Sequence, residues 1–298
     1  MTTGAIRSEA MRSADPKKIK ALAFDLDGTL LAPGAVLTEL SLKVLGACLG
    51  LGLRIIIVTG RSAASADRYR REIGFTGPLV CFNGAKAALM PGGEVLWLRL
   101  LDPLAADFCV DLSRETGAYY QAYFVRGDKP FGEALMGEKD GPWPAAYREH
   151  TGIHPEFGDL KAALRAPDFE GCIKGMFLAE PELLDRIRPR LEERFGCGAC
   201  VTKSSKTFLE VLPAGTSKGT GLKALMERYG LAPEELIAFG DEENDLPMLA
   251  ASGFAAVPAN AGPRIRAAAD IVTLANSEDG PALFLSRFFG LARPPRSR

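Results

Sequence analysis

The sequence predicts an α/β protein: a doubly wound parallel sheet, interrupted by an inserted α+β domain. Three observations predict it. Residues 20–86 alternate strand-length apolar runs with stretches of helical spacing. Residues 87–210 lose that rhythm, and from about residue 214 it returns. Chain that leaves a pattern and later resumes it is best read as one domain carrying another.

The elements follow in order. IKALAFDL (19–26) is an apolar run of strand length, and LTELSLKVLGACLGLG (37–52) has helical spacing with glycines at its end. LRIIIVTG (53–60) is rich in β-branched residues and reads as a fully buried strand. SAASADRYRREIG (62–74) is a helix, and PLVCFNGA (78–85) a strand ending in a glycine turn. Continuous apolar strands separated by helices indicate a parallel sheet covered on both faces. TGAYYQAYFV (116–125) is aromatic and alternating, as in a sheet with one open face. Residues 127–169 read as loop-rich, with Trp143 and both histidines, His150 and His154, expected at the surface. IKGMFLA (173–179) is a strand, PELLDRIRPRLEERFG (181–196) a helix and TFLEVLP (207–213) a strand. SKGTGLKALMERYG (217–230) is a helix with Ser217 as N-cap and a glycine stop. ELIAFGDEENDLPMLAAS (235–252) is strand, acidic loop and helix; GFAAVPANA and ADIVTLANSEDG add short strands and turns. The expected organisation is a polar leader (1–19), a core domain (20–86 with 211–290), an inserted domain (87–210) and a tail (291–298).

Composition narrows the partners. Thirty-six basic residues against 37 acidic give a net charge of −1, so no global field favours nucleic acid or an anionic membrane. No apolar run is long enough to cross a bilayer, and the leader lacks a signal-peptide centre, so the cytoplasm is expected. Six cysteines suit a reducing compartment, and CGAC (197–200) reads as the start of a strand rather than a redox or zinc pair.

The chemistry concentrates in a few places. Asp25 and Asp27 are two residues apart, so along an extended strand they point the same way, at its carboxyl end. Ligands of parallel sheets bind in the crevice outside those ends. Two carboxylates there cannot both ionise cheaply without a cation or a shared proton. A divalent metal and a division of labour between nucleophile and acid resolve the conflict. GDEEND (240–245) packs four carboxylates into five residues, a plausible hard-cation site that is equally a favourable acidic helix start. Lys218, in the first turn of a helix, reads by itself as a solvated surface charge.

DLDGTLL resembles the first motif of the haloacid-dehalogenase-like phosphatases, and later segments are similar to the family's other motifs in order. VTGR (58–61) resembles the second, TSKG (216–219) the third and FGDEENDLPML (239–249) the fourth. FNGA (82–85), AVPANA (256–261) and ADIVTLANSEDG (270–280) resemble the Cof-like branch, type IIB. The resemblance implies a Rossmann-like core with an α+β cap that closes over the site and excludes bulk water. It implies a phosphatase acting on a small phosphorylated metabolite, a sugar phosphate or phosphorylated cofactor, through an aspartyl-phosphate. Asp25 is then the nucleophile, Asp27 the acid and base, and Lys218 a catalytic and phosphate-binding residue. Thr59, Gly60, Asn83, Gly84 and Asn244 join Lys218 in binding substrate. Mg²⁺ is held by the Asp25 side chain, the Asp27 main-chain carbonyl and Asp241, with Asp245 in support. A monomer or homodimer is expected.

Two features depart from the family pattern: Val257-Pro258 replaces Met-Gly, and Lys86 follows NGA where an apolar residue is usual. A phosphomutase of the phosphomannomutase type is an alternative, but the insert shows no tight arginine cluster. A phosphorylatable switch without turnover is another, and an aspartate at position 27 favours hydrolysis over it. Tyr119, Gln121 and Tyr123 alternate along one strand, where they either read the leaving group or simply pack in the sheet.

Overall fold

The computed structural model describes residues 15–291. The expected leader and tail lie outside the described residues, apart from 15–19 and 291. In chain order the strands are β1 (Ala21–Phe24), β2 (Arg54–Val58), β3 (Gly77–Cys81), β4 (Lys86–Met90), β5 (Glu94–Leu98), β6 (Tyr119–Val125) and β7 (Glu133–Gly137). They continue with β8 (Glu156–Phe157), β9 (Cys172–Leu178), β10 (Ala199–Ser205), β11 (Phe208–Pro213), β12 (Leu236–Phe239), β13 (Phe254–Pro258) and β14 (Ile271–Thr273). The chain divides into two compact units. One holds the described residues through Thr59, Arg68–Pro78 and those from Lys218; the other holds Gly60–Asp67 and Leu79–Ser217.

In the first unit five strands run parallel in the order β14-β13-β12-β1-β2. β1 lies between β12 and β2 in this set, and its four residues are wholly buried. That is why ALAF carries no polar residue: both of its faces are covered. Phe24 pairs in register with Phe239, and their rings stack at 4.7 Å. From β1 the chain steps to β2 on one side, whereas β12, β13 and β14 build outward on the other. The order therefore reverses between β1 and β12, and a crevice opens beyond their carboxyl ends at such a switch point. The helices Glu39–Gly50, Lys218–Tyr229 and Gly280–Phe288 pack in this unit.

The second unit carries a six-stranded sheet ordered β10-β11-β9-β6-β7-β8, antiparallel except for β7 with β8. One face, with Tyr120, Ala122, Phe124, Phe177, Leu209 and Val211, forms a hydrophobic core with the helices Pro103–Thr116 and Pro181–Phe195. The opposite face was expected to be open and is not: residues 120–124 of β6 are all buried. Neighbours from the same unit cover it. The Tyr123 ring lies edge-on to Phe82 at 4.9 Å, and its hydroxyl is 3.1 Å from that of Tyr147.

Residues 127–169 are also more regular than their composition suggests. They hold β7, the helix Pro142–Thr151, β8 and the short helix Leu160–Ala163. Pro142 sits in a first turn, where no amide N–H is needed, and Gly152 closes the same helix at φ 73°. Proline and glycine here punctuate elements rather than dissolve them. His150 and His154 are exposed, His150 in the helix's last turn. None of the six cysteines is in a disulfide, and Cys200 lies on β10. Among the described residues no helix is long and apolar enough to cross a membrane.

Candidate active site

Asp25 is the first residue after β1. Its amide N–H donates to the Phe239 carbonyl at 2.9 Å, which ties the ends of β1 and β12 together. The chain then turns through Leu26–Leu30, with Gly28 at φ 75°. A glycine is required there twice over: the backbone is left-handed, and an added Cβ would overlap the Asp241 carboxylate. Thr29 donates its hydroxyl to Asp241 Oδ1 at 2.6 Å. The first motif thus shapes its own turn and also positions the acidic loop that follows β12.

Asp245 organises that loop. Its Oδ2 accepts from the amides of Asp241 and Glu242, both at 3.0 Å, while Oδ1 takes the Lys218 ammonium at 2.7 Å. Lys218 reaches Asp25 Oδ1 at the same distance. Asp25, Lys218, Asp241 and Asp245 are all at least nine-tenths buried. Oxygens of Asp25, Asp241 and Asp245 lie within 4.8 Å of one another. Thr59 is buried at the carboxyl end of β2, Asn244 is buried in the turn Glu243–Asp245, and Asp27 is half-buried.

The electrostatics express this crowding. Burial pushes the Asp25 carboxyl well above the usual range; Lys218 pulls it back, while Asp245, Asp241 and Asp27 push it further up. Asp241 rises to about 7, from burial first and then from the charge of Asp245, against the Thr29 hydrogen bond. Burial alone would lower Lys218, but Asp245 and Asp25 outweigh it and keep the ammonium charged. Three buried carboxylates around one ammonium leave negative charge uncompensated, and burial makes that expensive. All-oxygen donors of this kind fit a hard divalent cation. Asp245 already serves Lys218 and two amides, so Asp25 and Asp241 are the carboxylates with free capacity for it. Gly28→Ala is expected to dislodge Asp241, weakening divalent-cation affinity at least tenfold and costing about 1–3 kcal/mol of stability. Isothermal titration and thermal melts read the two effects separately.

Gly60, Asn83 and Gly84 fall in the second unit. There Lys174 on β9 and Glu210 on β11 form an ion pair at 3.1 Å, each side chain 2–3% exposed. Lys174 also donates to the Gly60 carbonyl at 2.8 Å, and Asn83 donates to Glu210 Oε2 at 2.5 Å. Ser204 donates to the other oxygen of Glu210 at 2.6 Å. The segment around Asn83 turns through three left-handed residues, Phe82, Asn83 and Gly84, and asparagine tolerates that region better than most. Lys86, the departure after NGA, is buried against Glu133 at 2.7 Å; Glu133 in turn accepts from the amides of Ala63 and Ala64.

Several participants carried no role in the sequence reading. Asn260 donates to the Gly28 carbonyl at 2.8 Å and accepts from the Asn276 amide, and Asn276 donates to the Leu31 carbonyl. AVPANA and LANSEDG therefore brace the first motif. Lys174 and Glu210 had a legible signal, since each is a charge in the middle of an apolar strand run, a place such residues occupy only when paired.

A family profile for haloacid dehalogenase-like hydrolases matches residues 22–285. The Citrobacter koseri HMP-PP phosphatase is 31% identical over 82% of this chain and 85% of its own. The Bacillus subtilis 5-amino-6-(5-phospho-D-ribitylamino)uracil phosphatase YitU is 29% identical over 91% of this chain and 97% of its own. A chloroplastic Arabidopsis thaliana protein named as the endoribonuclease YBEY is 27% identical over 91% of this chain. That match takes in 47% of the Arabidopsis protein, so the present chain spans about half its length. A solved haloacid dehalogenase-like hydrolase from Bacteroides thetaiotaomicron shares the fold, with a TM-score of 0.79 at 24% identity over 91% of this chain and all of the other. The inserted α+β unit is accordingly the cap of that fold. The chain belongs to the haloacid dehalogenase-like hydrolase family, in its Cof-like branch, and is a hydrolase of the phosphatase type.

Proposed function

We propose that the chain is a Mg²⁺-dependent phosphatase of small phosphorylated metabolites, working through an aspartyl-phosphate on Asp25. The observation that carries this is the Asp25 carboxylate, held 2.7 Å from a buried ammonium and grouped with Asp241 at the switch point of the sheet. Relatives named for an HMP-PP and for a phosphoribitylamino-uracil substrate support the substrate class.

Asp25 attacks phosphorus in line, and the P–O bond to the alcohol breaks. Asp27 gives the departing oxygen its proton, then takes one from the water that cleaves the acyl phosphate, so the same carboxyl serves both half-reactions. Lys218, Thr59, Gly60 and Asn244 hold phosphoryl oxygens; Asn83 and Gly84 shape the substrate end. Asp25, Asp241 and the Asp27 carbonyl would hold Mg²⁺, with Asp245 in support. When bound, Mg²⁺ supplies charge neutralisation for the phosphoryl group. Asp245 keeps Lys218 charged and aimed.

Inorganic phosphate release from a panel of phosphorylated sugars, nucleotides and cofactors, with Mg²⁺ and with chelator, tests the reading. Multiple turnovers on at least one panel member are expected. One phosphate per chain and no more would instead establish a phosphorylatable switch.

A further inference from the structure

We propose that Gln121 reads the leaving group, and that this group presents a hydrogen-bond donor and acceptor side by side, as an amide or imide ring edge does. The inference rests on the phosphatase reading above and deepens it. Gln121 lies in the middle of β6 and is 1% exposed. Neither its Oε1 nor its Nε2 has a hydrogen-bond partner. Directly opposite stand Gly137 on β7 and Met176 on β9, one without a side chain and the other with only a thioether. The Tyr119 hydroxyl, two residues back on the same face, is likewise buried without a partner.

A buried amide with both polar atoms unsatisfied is costly, and buried polar groups without partners are rare. Methionine would fill nearly the same space without that cost. Such a residue suits a ligand that completes it. Its position points to the substrate. The row of register partners runs from Gln121 across Met176 to Glu210. Glu210 grips Asn83 and Lys174, and Lys174 holds the carbonyl of Gly60, the residue after Thr59. Two strand spacings, about 10 Å, separate Gln121 from Glu210 along that row. The unsatisfied amide and the segment that follows the phosphate-binding threonine are thus served by one face of one sheet.

The chemistry of the amide selects the partner. Turned either way, a carboxamide presents one acceptor and two donors in a planar fork, which matches the edge of an amide, imide or aminopyrimidine with two parallel bonds. A single hydroxyl meets one arm of that fork, and a sugar spans both only through two adjacent hydroxyls, so a sugar phosphate is the competing arm of the test.

The test compares kcat/KM on uridine 5′-monophosphate, which carries an imide edge, on glucose 6-phosphate and on p-nitrophenyl phosphate, for the parent, Gln121→Met and Gln121→Glu. The parent is expected to prefer the uridine compound to the sugar phosphate. In Gln121→Met the uridine to p-nitrophenyl ratio should fall at least tenfold, chiefly through KM, with a thermal midpoint equal to or above the parent's. Gln121→Glu, which keeps the shape but loses the donors, should lower the same ratio. An unchanged ratio in both variants, or a parent preference for glucose 6-phosphate that Gln121→Met removes, overturns the inference and leaves the phosphatase reading intact. A parent that turns over no member of the wider phosphate panel, with or without Mg²⁺, defeats both, whereas turnover only on panel members that lack such an edge defeats this inference alone.

Discussion

Asp25→Asn is expected to lower kcat by about 10⁴-fold or more while the protein stays folded. An amide oxygen is a poor nucleophile toward phosphorus, so the first half-reaction has no route. The fold should persist because asparagine is isosteric and its Oδ1 can still accept from Lys218, now 2.7 Å from Asp25 Oδ1. Removing one of three crowded carboxylates also relieves repulsion that burial magnifies, so the metal-free variant should melt no lower than its parent. Turnover of p-nitrophenyl phosphate with Mg²⁺, beside a thermal melt, separates lost chemistry from lost structure. Parental kcat in the variant would remove Asp25 from the mechanism altogether.

That experiment addresses the part of the molecule most open to reading from sequence. Asp25 and Asp241 could be found because each follows a strand of one parallel sheet, which puts successive strand ends on one edge, and Lys218 because TSKG resembles a family motif. The grouping of Asp25 with Lys218, separated by 193 positions, does not follow from that topology, because Lys218 opens a helix after β11, a strand of the other sheet. The resemblance implies that Asp245 supports Lys218 or a metal-bound water, and the structure gives it the Lys218 contact. Sequence offers four carboxylates from Asp241 to Asp245, and only the fold shows that the second oxygen of Asp245 is taken by the amides of Asp241 and Glu242.

Other features were closed to sequence for definite reasons. Asn260 and Asn276 act through carbonyls of Gly28 and Leu31, and a side chain's bond to a distant backbone leaves no periodic trace. The helix Pro142–Thr151 was hidden by its prolines, although a proline in a first turn favours a helix. The alternation of Tyr119, Gln121 and Tyr123 was visible, but alternation marks a two-faced strand without saying what covers each face. Here the second face is buried and polar, with Lys174, Glu210 and Gln121 all within it. Of the three, the pair Lys174–Glu210 neutralises itself, whereas the amide of Gln121 is unsatisfied.

Removing the divalent cation is expected to reduce turnover to background at neutral pH, and to do so with a pH-dependent loss of stability. The sign follows from Asp241, whose folded carboxyl titrates near 7 against an ordinary value of 3.8. Between those values the folded state holds a proton that the unfolded chain has released. For the metal-free protein, the stabilisation from this group is therefore complete below pH 4 and is lost as pH rises through 7, a change on the order of a few kcal/mol. Asp25, raised for the same reasons, adds to the trend in the same direction. A divalent cation competes with these protons, so it should bind weakly near pH 5 and tightly above 7. At a hundredfold excess over its dissociation constant it should stabilise by about 2.7 kcal/mol, raising the thermal midpoint by roughly 5–10 °C. Melts at pH 5.5 and 7.5, each with EDTA and with Mg²⁺, measure the coupling. A Mg²⁺-induced shift that is large at 7.5 and small at 5.5 is the expected pattern. Equal shifts at the two values, or full activity in EDTA, would mean that these carboxylates do not hold the ion and that Lys218 alone balances their charge.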